Sequence, residues 1–164
     1  MEATFENWES EFLQMALYVW LTSFLYQRGS AESKDPGKKE EVDEDPRLHA
    51  HDPKAPLPVR RGGWMLRLYE NSLSLALFAL FVVSFGLHLI GSTAENCRAE
   101  SMHGQPCSTM VDQLMSARFW FESLQNWQSE FLSIAAVVIL SIFLRQRGSP
   151  ESKRVHSPHS ETGR

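Results

Sequence analysis

Twenty residues from Ser72 to Gly91, SLSLALFALFVVSFGLHLIG, carry no formal charge. As an α-helix they would rise about 30 Å, the thickness of a bilayer's hydrocarbon core. His88 is the only titratable side chain among them. Leu, Phe, Ala and Val recur at every helical angle, so the segment lacks the polar stripe of a soluble surface helix and reads as facing lipid or fully buried in a bundle. Whole-chain averages conceal it. The chain has 164 residues, 43% hydrophobic, with net charge -4 and mean hydropathy -0.28, but its apolar residues are gathered into three blocks. A collagen, a large multidomain enzyme and a strongly basic nucleic-acid binder are excluded.

The other two blocks, Phe12 to Leu25 and Phe131 to Leu144, are shorter, at about 14 residues each. Extended backwards to Asn7 and Asn126 they reach about 19 residues, or roughly 28 Å. Trp8 and Trp127 then fall at one edge of the bilayer, where amphipathic rings favour the headgroup zone, and Arg28 and Arg147 anchor the other. Gly29 and Gly148 are expected to end these helices as the first residue beyond the cap.

Charge placement gives an orientation. Of 16 Lys and Arg, nine lie between Arg28 and Arg67 and five from Arg145 onward, leaving Arg98 and Arg118. By the positive-inside rule the first loop and the C-terminal tail are cytoplasmic, with the N-terminus and the 92–117 loop outside. The acidic N-terminus, with Glu2, Glu6 and Glu9, fits an outer position and has no signal-peptide features.

Displacing the chain by 119 residues aligns Asn7 to Lys34 with Asn126 to Lys153 without a gap, and 18 of 28 positions are identical. NWESEF meets NWQSEF, and QRGSAESK meets QRGSPESK. Matching at polar positions marks a duplication rather than shared hydrophobicity. The second copy is preceded by its own helix and outer loop, which suggests a two-helix unit. The first copy has no such partner. Three readings follow: a lost first helix, an internal start with four crossings in the true protein, or helices shared between two chains.

The pairing of ENWESEFLQM and FLYQRGSAESK with RLYENSLSLALFALF and FESLQNWQSEFL resembles an uncharacterised bacterial integral membrane family, a domain of unknown function. The resemblance covers nearly the whole chain and implies tandem two-helix units. It implies no activity, cofactor or catalytic residue.

The expected organisation is all-α, a polytopic membrane protein with three transmembrane helices from a duplicated unit lacking its first helix. The first repeat occupies 1–34, with its helix at about 7–26, and a disordered, Pro-rich charged linker occupies 35–66. The second repeat occupies 67–153, with helices at about 70–91 and 120–145 and an outer loop at 92–117, and 154–164 is a flexible tail. Arg60, Arg61 and Arg67 hold the start of the second helix against anionic lipid. His49 and His51 beside Asp52 are a weak metal spacing, and no metal or cofactor is expected. Cys97 and Cys107, on the oxidising side of this topology, can form a disulfide. Ser149, Pro150 and Glu151 read as the first positions of a short surface helix, or, with Arg28, Arg147, Lys34 and Lys153, as part of a headgroup site.

One constellation suggests chemistry. Glu11 and Glu130 lie about 8 Å inside the outer boundary, and His88, on the opposed helix, falls near the same depth. Ionisable groups there face a bundle interior, pair or change protonation state. Together with Ser10 and Ser129 they could take up protons or cations. The competing reading leaves both acids in the first helical turns at headgroup level, favoured by the helix dipole. No HExxH, GxSxG, P-loop or GxGxxG is present. The leading expectation is therefore a non-enzymatic bacterial inner-membrane protein that binds a partner or a second copy, with no nucleic acid. The alternative is an oligomeric proton or cation channel subunit using Glu11 and Glu130.

Overall fold

The structure, a computed structural model, describes residues 2–149 and 151–163. Helices are α1 Glu2–Thr22, α2 Leu57–Arg61, α3 Gly63–Glu70, α4 Ser72–Met102, α5 Met110–Leu114 and α6 Ala117–Phe143, with short 3-10 turns at Glu41–Asp43 and Pro46–His49. Among the described residues there is no strand, so the chain is all-helical.

Two helices, α4 and α6, are long and apolar enough to cross a membrane. Their most apolar stretches have mean hydropathies of 2.4 and 1.4. α1 falls outside that class because Glu6, Glu9 and Glu11 remain even in its last eighteen residues. Among the described residues the count of span-length apolar helices is therefore two, where the sequence suggested three.

Element boundaries differ from expectation for local reasons. α4 does not stop near Gly91. Good helix formers follow that glycine through ENCRAESM, and the helix continues to Met102, a total of 31 residues or about 46 Å. It ends where Gly104 adopts φ +69° and the Gln105 amide bonds back to the Glu100 carbonyl, a Schellman closure. α1 ends at Thr22, before Gly29. Its last turn is diverted by hydroxyls, with Thr22 Oγ1 donating to the Tyr18 carbonyl and Ser23 Oγ to that of Trp20. α6 ends at Phe143, where Arg145 donates to the carbonyls of Ser141, Ile142 and Leu144. Gly29 and Gly148 thus lie in turns beyond the helices and do not cap them.

By contact density the chain forms two units, Met1–Leu17 with Ala76–Ser133, and Tyr18–Leu75 with Ile134–Arg164. The first unit has an inverted interior. Its buried side chains are chiefly polar, including Glu9, Gln14, Ser84, His88, Gln113 and Ser123, with Phe119 the largest apolar exception. Leu80, Val82, Val83 and Ile90 of α4 stay exposed. Only 11% of the apolar stretch of α4 is buried, and 6% of that of α6. A soluble core helix would bury most of such a stretch. Within α4 the buried residues Ser84, His88 and Ser92 stand four apart, so the helix does carry one polar stripe, turned inward.

The second unit holds both copies of the QRGS-ESK turn, and they are built alike. The Gln27 amide donates to Ser33 Oγ at 2.7 Å, and the Gln146 amide to Ser152 Oγ at 2.9 Å. The Glu32 amide donates to Ser30 Oγ, and that of Glu151 to Ser149 Oγ. No short helix follows Ser149 among the described residues, and Pro150, its expected first position, lies outside them. The tail is not free. Lys153 is buried, and its Nζ donates to the carbonyls of Gly29, His159 and Glu161 at 2.6, 3.1 and 2.8 Å. α2 and α3 fall within or beside the linker, with Val59 and Leu66 as their buried residues.

Candidate functional site

The first unit brings an acid and an imidazole together away from solvent. α1 supplies Glu9, two turns along from its start, and the inward stripe of α4 supplies His88. His88 Nδ1 lies 2.8 Å from Glu9 Oε2, and both side chains are 0% exposed. The His88 ring stacks on Phe119 of α6, with centroids 4.8 Å apart and planes 28° from parallel. Phe119 is itself wholly buried, so it closes one face of the imidazole with carbon. Glu9 Oε1 has no hydrogen-bond partner among the described residues.

The surroundings of the pair are polar but mostly uncharged. Gln113 of α5 donates to Ser92 Oγ at 2.6 Å. Gln14 Nε2 donates to the Glu130 carbonyl at 2.9 Å, and Asn126 Nδ2 to Glu6 Oε1 at 2.7 Å. Glu6 lies within electrostatic range of His88, Glu9 and Glu122. Glu122 in turn accepts from Arg118 Nε at 2.8 Å.

The expected cluster of Glu11, Glu130, His88, Ser10 and Ser129 does not assemble. Glu11 is exposed, because it lies two residues from Glu9 and about 200° around the helix. Glu130 is half-buried and takes part through its backbone carbonyl. Ser129 is exposed, and Ser10 is buried but spends its hydroxyl on the Asn7 carbonyl at 2.7 Å. Of the five, His88 alone takes part in the acid–imidazole contact.

Glu9 is an acid that the duplication does not mark. The acids retained in both copies are Glu11 and Glu130, whereas Glu9 aligns with Gln128. The available signal was angular. Glu9 lies about 20° around the helix from Ala16, with Ser10 alongside, all buried, and a polar-and-small face on an otherwise aromatic helix marks an inward side.

The remaining candidates separate. Trp8 is exposed and edges against Phe5 and Phe12, while Trp127 is half-buried beside Phe81 and Trp120. Arg28 and Arg147 are exposed. Lys34 pairs with Asp43 at 2.6 Å, so neither repeated lysine is presented to a headgroup. A disulfide joins Cys97 to Cys107, next to a capping box in which Thr109 and Asp112 bond reciprocally at the start of α5. His49 lies 3.3 Å from Glu44, both exposed, and among the described residues no group of three or more His, Cys, Asp or Glu could hold a metal.

The described residues thus form an all-helical protein with two helices long and apolar enough to cross a membrane and a buried acid–imidazole pair. The chain belongs to a family described as a domain of unknown function (DUF6766), whose model covers residues 1–164. No curated protein and no solved structure matches it.

Proposed function

We propose that this chain is a small non-enzymatic integral membrane protein of the bacterial inner membrane, with the bilayer around its apolar helix faces and a partner protein or second copy as its target. The single observation that carries the reading is the inversion of burial. Glu9, Gln14, Ser84 and His88 are inside while Leu80, Val82, Val83 and Ile90 are outside. In water that distribution costs free energy at both surfaces; in lipid it is the favourable one.

Three crossings are the reading of α1, α4 and α6 together. Hydropathy averaged along α1 counts Glu9 against it, although that carboxyl is wholly buried. Trp20 and Met15 of the same helix remain exposed, as lipid-facing residues would be. α2 and α3 suit the cytoplasmic interface, with Arg60, Arg61 and Arg67 near headgroups and exposed Leu57, Trp64 and Leu68 available to the acyl boundary. The alternative, an oligomeric proton or cation channel or transporter subunit using Glu11 and Glu130, draws less support, because Glu11 is exposed and Glu130 is engaged through its backbone carbonyl.

Alkaline carbonate extraction of membranes, followed by single-cysteine labelling on a Cys97→Ser, Cys107→Ser background, tests this. Retention in the pellet, with outside labelling at positions 4 and 103 and inside labelling at 52 and 156, is expected. Release into the supernatant would overturn the membrane reading, and residues 4 and 103 labelling from opposite sides would overturn three crossings.

A further inference from the structure

We propose that Glu9 and His88 form a buried proton-binding site, and that its ligand is a single proton. The argument is one of charge. With His88 Nδ1–H donating to Glu9 Oε2, a neutral imidazole beside a carboxylate leaves the pair with one negative charge. One added proton, on His88 or on Glu9, brings it to zero and keeps the 2.8 Å hydrogen bond. A second added proton leaves it positive. Both side chains are fully inaccessible, so either net charge carries the desolvation cost of an ion in the interior, and the state with no net charge is the one that burial favours.

The groups around the pair agree. From α1, Glu6 is the other acid in range, and Glu6 in turn lies in range of Glu122 of α6, itself held by Arg118. On α4 the flanking stripe offers Ser84 and Ser92, and α5 offers Gln113, none of which titrates. The nearby Glu6 carboxyl favours uptake of a positive charge over its loss. Phe119 against the ring face keeps water from that side. Glu9 Oε1, buried and lacking a hydrogen-bond partner among the described residues, offers an oxygen for the incoming proton. Because the two residues are 79 positions apart in the chain, the hydrogen bond between them also ties α1 to α4.

The functional meaning of the site rests on the membrane reading, but its existence does not. The test is 15N NMR of the full chain labelled at histidine and placed in phospholipid nanodiscs, with the His88 ring assigned by its loss in His88→Gln. The other five histidines, at 49, 51, 103, 156 and 159, are exposed and serve as the internal reference. His88 should show no transition with them between about pH 5 and 8. Glu9→Gln should move the His88 transition by about one pH unit or more, a tenfold change in proton affinity, while Glu11→Gln leaves it where it was. His88 titrating with the exposed five in the unmodified chain would overturn the proposal, whether or not the Glu9 variant folds. Loss of the protein from membranes with an undisturbed His88 signal would overturn the membrane reading alone.

Discussion

Gly29 and Gly148 occupy the same place in two copies of one turn, with φ of 85° and 84°, yet only Gly29 is covered. Its amide donates to Thr162 Oγ1 at 2.9 Å, and the Ser30 carbonyl next to it accepts from the Gly163 amide. A Cβ at position 29 would meet the His159 carbonyl oxygen at 2.8 Å, whereas at 148 it would meet nothing within 4 Å. The tail has settled on one copy of the turn and left the other open.

Alanine at the two glycines should therefore separate backbone strain from crowding. Gly148→Ala should cost about 1 kcal/mol, the price of a left-handed conformation. Gly29→Ala should cost more, because the tail backbone must also move. Thermal unfolding midpoints of the two variants in one detergent measure the difference, and equal shifts would contradict the packing of residues 159–163 on this turn.

The repeated lysines should titrate in opposite directions. The hydrogen bond to Asp43 raises the Lys34 ammonium above the usual lysine range, while burial lowers that of Lys153. The Lys34 contribution is then fully present below the ordinary lysine value and lost as pH climbs through its raised value. For Lys153 the folded state holds its proton less tightly than the unfolded one, so that group adds stability as pH rises. In 15N-lysine NMR, Lys153 should deprotonate first. Lys153→Met should also loosen the tail, costing on the order of 2 kcal/mol and speeding amide exchange at 159–163.

Removing one member of the buried pair should be worse than removing both. Glu9→Ala or His88→Ala leaves its partner stranded and should destabilise by about 3–5 kcal/mol. Glu9→Leu with His88→Leu, which replaces the pair by apolar volume, should cost much less than the sum of the single variants. A double-mutant cycle on chemical unfolding measures the coupling, and additive effects would argue against direct contact.

The segment between α4 and α5 should respond to reductant and to acid separately. Cys97 and Cys107 should resist alkylation until reduced, and Cys97→Ser with Cys107→Ser should cost roughly 2–3 kcal/mol for so short a loop. Asp112 is held below the usual aspartate range by the Thr109 side chain and amide. Its contribution is present above the ordinary aspartate value and lost as pH falls through the lower folded value. Amide exchange at the start of α5 should quicken only at strongly acid pH, and Asp112→Asn should abolish that dependence.

The sequence by itself determined the helical class, the extreme apolarity of 72–91 and the paired QRGS-ESK turns, because these depend on neighbours in the chain. Charge-free helix formers make a helix wherever they are placed, and a repeated string of hydrogen-bonding serines closes the same turn twice. It did not determine where α4 ends, since Gly91 and Gly104 look alike until the left-handed φ of the second is seen. Nor did it select Glu9 over Glu11. Those two acids differ by a rotation about the helix, and only the approach of α4 with His88, backed by Phe119 from α6, decides which one is buried. The capture of the tail by Gly29 and Lys153 was equally hidden. A contact between residues more than a hundred positions apart leaves no periodicity to read, and only the tertiary structure brings them together.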